Sequence, residues 1–195
     1  MVVWRRKLYR AGVGTMFALI AYLGGNAWVL PVLGFFLALL LLWEYERRIH
    51  PGFYGWIVDH GHGIFKDNAG FLLPDTYFVL SVFLAFCFFP LPIALAALLF
   101  LTYGDAFSTV IGMKFGNRRI FRHKSLEGFL AFLSSAFIIA FFVSILPRHE
   151  LLFVVGSSGA VIAGLTELFS VPPDDNFSVT ILSGLAMFLT SYFVQ

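Results

Sequence analysis

The sequence predicts a single all-α, polytopic integral membrane domain that covers residues 1–195, and three observations predict it. First, 59% of the residues are hydrophobic and only 12% are charged, whereas a soluble domain carries about 25% charged residues. Second, long stretches such as 11–43 and 76–104 contain no Asp, Glu, Lys or Arg. Third, the basic residues fall on one side of the helices that these stretches predict. The composition excludes a soluble enzyme, a disordered chain and a nucleic-acid-binding domain.

The uncharged runs predict about seven transmembrane helices, because a helix needs about 20 residues to cross the hydrocarbon. Helices are expected because lipid offers the backbone no hydrogen-bond partners. Gly24-Gly25-Asn26 divides the first long run into two helices, and Pro90-Leu91-Pro92 divides the second. The last three spans follow the shorter runs 128–147, 151–166 and 176–195. The predicted spans are 8–23, 28–43, 74–89, 91–113, 126–146, 151–169 and 177–194.

The distribution of charge predicts the orientation. With a cytoplasmic N-terminus, all 13 Lys and Arg residues except Arg148 fall inside, as the positive-inside rule requires. The chain then ends outside. The basic start followed by an apolar run could mimic a secretory signal, but no small-residue cleavage site follows, so we interpret it as the first span. All 11 acidic residues except Glu150 also lie on the inner side, which favours either a metal and phosphate site or simply charged cytoplasmic loops.

The segment 102–116 carries two helical patterns. Small residues recur every four positions, at Gly104, Ser108, Gly112 and Gly116. This stripe predicts close helix–helix packing. Thr102, Asp105 and Thr109 form an adjacent polar face. A carboxylate near the inner end of a span is costly, so Asp105 is a candidate for a catalytic or metal-binding role; a purely structural pairing is the alternative.

The basic loop 114–124 permits two interpretations. Its cations could attract anionic lipid headgroups, or they could clamp a polyphosphate group whose oxygens approach the backbone amides of glycines. Ser125 is expected to cap the next helix, with Glu127 in its first turn. Capping does not account for Lys124.

Three further features carry weaker signals. Pro172-Pro173-Asp174-Asp175-Asn176 predicts a turn and a helix cap, although its carboxylates together with Glu167 could hold Mg²⁺. His60-Gly61-His62 has a spacing that could bind a metal, but its Gly-rich, aromatic context favours contact with the membrane surface. Cys87 is the single cysteine, so no intrachain disulfide can form, and we interpret it as a small apolar residue.

Several motifs occur in a fixed order along nearly the whole chain. They are Gly104-Asp105-Ala106, Gly112 with Gly116, Lys124-Ser125-Leu126-Glu127-Gly128, Glu167, and Asp174-Asp175-Asn176, preceded by Arg6-Lys7 and by Glu44 with Arg47 and Arg48. In this order they resemble the CTP-dependent polyprenol kinase family. That family includes dolichol kinase, phytol kinase and a CTP-using diacylglycerol kinase, and it is similar more distantly to phosphatidate cytidylyltransferases. This chain has Arg10 where the family often has His, and Lys66-Asp67 only approximates a family pair of Arg and an acid.

The resemblance implies phosphoryl transfer from CTP to the hydroxyl of a lipid alcohol, with Mg²⁺ or another divalent cation. The implied catalytic residues are Asp105, Lys124 and Glu127. The implied nucleotide-binding residues are Gly104, Thr109, Gly112, Lys114, Gly116, Lys124, Ser125 and Gly128. The implied metal ligands are Asp105, Glu167, Asp174, Asp175 and Asn176. The implied supporting residues are Arg6, Lys7, Glu44 and Arg47.

The implied partners are a lipid alcohol, a nucleoside triphosphate and membrane lipids, but no nucleic acid, and nothing in the sequence supports an oligomer. We expect a multi-pass protein in the cell membrane of a prokaryote or in an endoplasmic-reticulum-type membrane, with its site on the cytoplasmic side. A CDP-lipid synthase is one alternative, although the late cytidylyltransferase signature is missing. The pattern of CDP-alcohol phosphotransferases is also missing. A small transporter is an alternative of another class, but it predicts mid-membrane polar residues and an internal repeat, and neither is found.

Overall fold

The computed structural model describes residues 2–60, 71–122, 124–147 and 151–194. It is 85% helical. Four helical stretches are long and apolar enough to cross a bilayer, namely Arg6–Ile49, Leu91–Phe115, Leu126–Ser144 and Asp175–Val194, and two shorter apolar helices accompany them. This architecture is consistent with an all-α membrane protein. The side chains of His60, His62, Lys66, Asp67, Arg148 and Glu150, on which parts of the sequence interpretation depend, lie outside the described residues.

The helices follow one another with short connections. Their bounds are α1 Val2–Ile49, α2 Pro51–His60, α3 Pro74–Phe88, α4 Leu91–Leu99, α5 Asp105–Phe115, α6 Leu126–Ser144, α7 Phe153–Phe169 and α8 Asp175–Val194. Strands β1 Arg119–Phe121 and β2 Lys124–Ser125 pair antiparallel between α5 and α6. We call β1 and β2 together the ribbon. The structure contains two features that the all-α prediction did not include, namely the ribbon and α2.

Helix α1 reverses direction at the predicted glycine break. Gly25 has φ 63° and ψ −162°, a conformation that L side chains rarely adopt. Phe17 and Phe36 lie 19 positions apart, which in a straight helix is about 28 Å, yet their ring centroids are 5.7 Å apart. The two halves of α1 therefore lie side by side as a helical hairpin. A Cβ on Gly24 would come within 2.4 Å of the Trp28 ring, so this turn needs glycine at both positions.

The predicted span 91–113 is interrupted just before Asp105. Helix α4 passes into a π-helical turn, Phe100–Gly104, and then into α5. A π-helical turn holds one residue more per hydrogen-bonded ring than an α-helical turn, and such turns are frequent at functional sites. This turn is buried by α6, because a Cβ on Gly104 would come within 2.7 Å of the Phe132 ring.

Burial is arranged as expected for a bundle surrounded by lipid. Fully buried aromatic side chains such as Phe86, Phe100 and Phe132 fill the centre, where α4 and α8 pack on several neighbours. Many large apolar side chains face outward instead, including Phe35 and Phe142, which are 62% and 58% exposed. Apolar surface of this extent is unusual on a soluble monomer, so the surface pattern agrees with the composition.

Glu44 joins the end of α1 to the start of α3. Its carboxylate is buried and accepts hydrogen bonds from the Leu73 backbone N–H and from Thr76 Oγ1 at 2.9 Å. Arg47 Nη2 also donates to it at 2.6 Å. Because no side chain of α3 itself caps that helix, Glu44 supplies the acceptor and the negative charge that a helix N-terminus favours.

Glu44→Gln should therefore lower the free energy of unfolding by about 1–3 kcal/mol, because a buried charged acceptor for three donors is lost. Unfolding of the purified protein in an SDS titration measures this change. Glu46→Gln is the matched control, since Glu46 is exposed and only 3.8 Å from exposed His50, and it should shift stability by less than about 0.5 kcal/mol. Equal stability of both variants would show that Glu44 does not anchor α3.

Candidate functional site

One cavity of about 550 Å³ gathers most of the predicted site residues at one end of the bundle. Its walls come from the start of α1, α5, the ribbon, the start of α6, the end of α7 and the start of α8. The lining residues are Arg6, Lys7, Asp105, Ser108, Thr109, Gly112, Met113, Gly116, Arg119, Lys124, Ser125, Gly128, Phe129, Glu167, Leu168 and Asp175. Residues from six separate segments therefore meet at a single site.

Helix α5 supplies the polar wall of the cavity. Asp105, Ser108, Thr109 and Gly112 all line it, and their spacing of three and four places them on one helical face. The glycines permit close packing of α5 on α6, because a Cβ on Gly128 would lie 3.0 Å from the Ser108 carbonyl oxygen. The small-residue stripe thus packs against the neighbouring helix as the sequence predicted, and the same approach narrows the cavity floor.

Ser125 caps α6 at the edge of the cavity. Its Oγ accepts a hydrogen bond from the Gly128 backbone N–H at 3.1 Å, which confirms the predicted N-cap. The cap fixes the junction between β2 and α6. Lys124, the preceding residue, consequently points into the cavity from a defined backbone position.

Two lysines form ion pairs with the cavity carboxylates. Lys7 donates to Asp105, and both side chains are largely buried, at 13% and 15% exposed. Lys124 donates to Glu167, whose side chain is 6% exposed, and its Nζ lies 3.7 Å from an Asp175 oxygen. Burial lowers the pKa of Lys124, but the attraction of Glu167 and Asp175 outweighs it, so that its pKa lies above the usual value. Lys124 is therefore a permanent cation of the site at neutral pH.

Two arginines of the cavity wall have no such partner. Arg6 and Arg119 line the cavity, and neither forms an ion pair with a carboxylate in the described part of the chain. The Nε atom of Arg6 is buried and has no hydrogen-bond partner among the described residues. A buried donor without an acceptor is unfavourable, so Arg6 carries one unsatisfied donor beside the cavity that it lines.

Of the two predicted metal ligands Asp174 and Asp175, at the turn before α8, only one lines the cavity. Asp175 lines the cavity. Asp174 instead accepts hydrogen bonds from Asn176, at 2.9 Å from its backbone N–H and 2.6 Å from its side-chain amide. Burial and the neighbouring Asp175 carboxylate both raise the pKa of Asp174. Asp174 therefore acts locally as the cap that the turn motif predicted.

Arg10 is a structural residue that the sequence interpretation noted only as a difference from the family. Its buried guanidinium donates from Nε to Asp75 at 2.8 Å and from Nη1 to the Asn176 side-chain oxygen at 3.2 Å. Arg10 thus ties α1 to α3 and α8 on the side of the cavity where Lys7 and Asp175 lie. The available signal was its position one helical turn after Lys7 in an otherwise apolar run.

Several predicted residues lie elsewhere. Gly104 packs against Phe132, and Lys114 is exposed with its Nζ 5.2 Å from the Phe115 ring centroid. Glu127 is absent from the cavity wall, and its carboxylate accepts the Arg118 backbone N–H at 3.3 Å and 3.4 Å. Glu44 and Arg47 form the separate cluster at the start of α3. The predicted residues that the cavity does bring together are Arg6, Lys7, Asp105, Thr109, Gly112, Gly116, Lys124, Ser125, Gly128, Glu167 and Asp175.

The cavity carboxylates have the donor chemistry of a magnesium site, since Mg²⁺ prefers oxygen ligands. Within the described ranges, however, no three His, Cys, Asp or Glu side chains form a metal-binding group. Asp105, Glu167 and Asp175 are separated by the lysines with which they pair. The counter-charge of each carboxylate is therefore an ammonium group.

Comparison of the chain with models of protein families, with curated proteins and with solved structures finds no match. The residues and the geometry of the cavity are therefore the basis of the function proposed below.

Proposed function

We propose that the protein is a membrane lipid kinase that transfers the γ-phosphate of CTP to the hydroxyl of a lipid alcohol. The observation that carries this proposal is the single cavity in which Lys7, Lys124, Arg6 and Arg119 face Asp105, Glu167 and Asp175. Phosphoryl transfer requires mainly positioning and the neutralisation of charge on phosphate oxygens. Fixed cations beside carboxylates supply both requirements.

The size and charge of the cavity support a nucleoside triphosphate as the ligand. Its volume of about 550 Å³ lies within the range of small-molecule sites, about 300–1,000 Å³. Arg6 and Arg119 have no described carboxylate partner, so they are available for phosphate oxygens, to which guanidinium groups bind in bidentate fashion. Lys7 and Lys124 line the same cavity, which places two further cations beside the bound phosphates.

Asp105, Glu167 and Asp175 have the oxygen donors that a divalent cation prefers, but in this structure they pair with Lys7 and Lys124 and form no metal-binding group among the described residues. They would hold the cation only if the lysines moved to the phosphates. When bound, Mg²⁺ neutralises charge on the phosphate oxygens. The chain's own residues account for the other requirements. The cations orient the phosphates, and Met113, Phe129 and Leu168 give the cavity an apolar side for the lipid. The lipid hydroxyl oxygen attacks the γ-phosphorus, the bond to the β-phosphate oxygen breaks, CDP leaves, and the hydroxyl proton passes to a cavity carboxylate.

Phosphate transfer from each of four γ-labelled nucleotides to a panel of polyprenol, phytol and diacylglycerol tests the proposal directly. We expect labelled lipid phosphate and CDP as products, with CTP as the best donor. Formation of a CDP-lipid and pyrophosphate would identify a CDP-lipid synthase instead. Absence of transfer from every nucleotide to every acceptor by protein that binds CTP would overturn the kinase proposal.

We further propose seven spans with the N-terminus in the cytoplasm. The hairpin of α1 contributes two spans, and α3, the α4–α5 helix, α6, α7 and α8 contribute one each. Every basic residue except Arg148 then lies inside. The cavity opens on the same side, where nucleotide is available.

Cysteine labelling tests this topology. In a Cys87→Ser background, Asn117→Cys should react with an impermeant maleimide only from the cytoplasmic side, and Arg148→Cys only from the opposite side. The expected pattern follows because α6 crosses the membrane once between the two positions. Labelling of both cysteines from one side of sealed vesicles would contradict the seven-span arrangement.

A further inference from the structure

The ribbon separates the basic residues of the loop into two groups. Arg119 lines the cavity, and Phe121, two positions later, packs edge-to-face on Phe169 at the end of α7, with centroids 5.5 Å apart. Arg119 and Phe121 therefore contact the cavity and the helix bundle.

Arg118 and Arg122, with Ile120 between them, do not line the cavity, and we call these three side chains the outer face. All three side chains are exposed, and Ile120 is 49% exposed. In the described part of the chain, neither arginine forms an ion pair, although the guanidinium of Arg122 lies 5.4 Å from the Phe121 ring centroid.

The ribbon connects two helical stretches that are apolar enough to span a membrane. It joins the end of α5 to the start of α6. A strand advances only about 3.3 Å per residue, so a ribbon this short keeps its side chains close to the ends of these two helices. Phe115, at the end of α5, is 51% exposed and adds apolar surface at this end of the helix.

We propose that Arg118, Ile120 and Arg122 form a docking surface for the anionic headgroups of the surrounding bilayer. Guanidinium groups bind phosphate in bidentate fashion, and Ile120 enters the interface between them. Because none of these three side chains lines the cavity, their partner is the lipid headgroup and not the phosphates of a soluble nucleotide. The proposal is independent of the proposed kinase activity.

The test uses the full-length protein in nanodiscs. Asn117, which is exposed next to Arg118, is replaced by Cys in a Cys87→Ser background and carries an environment-sensitive fluorophore. Accessibility to the neutral quencher acrylamide is compared in discs of phosphatidylcholine with and without phosphatidylglycerol. We expect protection only in the anionic discs. Each surface cation contributes about a fivefold preference for anionic lipid, so R118Q/R122Q should require a much higher fraction of phosphatidylglycerol for half-protection.

The matched control is R118K/R122K, which retains both charges and should retain the protection. Thermal unfolding of the two double variants verifies that both are folded. Addition of inorganic phosphate or CTP to the neutral discs should give no protection. Equal accessibility in neutral and anionic discs, an unchanged lipid preference of folded R118Q/R122Q, or protection by soluble phosphate would each overturn the proposal.

Discussion

Asp105→Asn should lower turnover by about 10²–10³-fold while the protein stays folded. The amide preserves the size of the side chain. It also preserves the close packing of α5 on α6, where Ser108 lies against Gly128. It removes the negative charge that faces the cavity and pairs with Lys7. A charged contact made in the transition state is worth about 3–4 kcal/mol, which corresponds to this factor. Initial rates of lipid phosphorylation at saturating nucleotide measure the loss.

Asp75→Asn is the matched control for Asp105→Asn. It also removes the carboxylate of a partly buried ion pair, since Asp75 on α3 pairs with Arg10 on α1. Asp75, however, does not line the cavity. We expect Asp75→Asn to lower stability and to leave turnover within a few-fold of the wild type. If well-folded Asp105→Asn retained near-normal turnover, the assignment of a chemical role to Asp105 would fail.

Lys124→Ala should reduce both activity and stability. It removes a permanent cation from the cavity, which should raise the nucleotide KM or lower kcat. We expect kcat/KM to fall by about 10²-fold. It also leaves the Glu167 carboxylate buried without its partner. Removal of one member of a buried ion pair is strongly destabilising, by about 3 kcal/mol at a site that solvent still reaches. Steady-state kinetics and unfolding in SDS measure the two effects separately.

The double variant Lys124→Ala with Glu167→Gln separates these two effects. Neutralising Glu167 removes the unpaired charge, so stability should recover, since contacting residues are not additive. Activity should stay low, because the cation that faces the phosphates is still missing. Recovery of activity together with stability would mean that Lys124 acts only as a structural partner of Glu167.

Much of the helical arrangement could be predicted from uncharged runs and breaker residues. The predicted spans 74–89 and 126–146 agree closely with α3 and α6. The reversal at Gly25 follows from a break that only glycine tolerates. The ribbon and the π-helical turn could not be predicted, because both depend on how α5 meets α6 and not on local hydropathy.

The candidate site was predictable in its residue types but not in its geometry. Sequence order brings Asp105, Lys124 and Glu167 into one hypothesis, and the fold places all three on one cavity. It could not separate Arg119 from Arg118, since local sequence does not show which of two adjacent cations lines the cavity. Nor could it assign Asp175 to the cavity and Asp174 to the cap, since that division depends on the hydrogen bonds of Asn176.

The hairpin of α1 also bears on how the chain would enter a bilayer during synthesis. Its turn consists of Gly24, Gly25 and Asn26, and the Asn26 amide donates to the Phe86 carbonyl oxygen at 3.3 Å once α3 is in place. Moving a charged residue to the bilayer centre costs about 2.5–3.5 kcal/mol on insertion scales, and this turn carries none. The two arms can therefore enter together as one unit, and the Asn26 amide at the turn finds its acceptor when the next helix arrives.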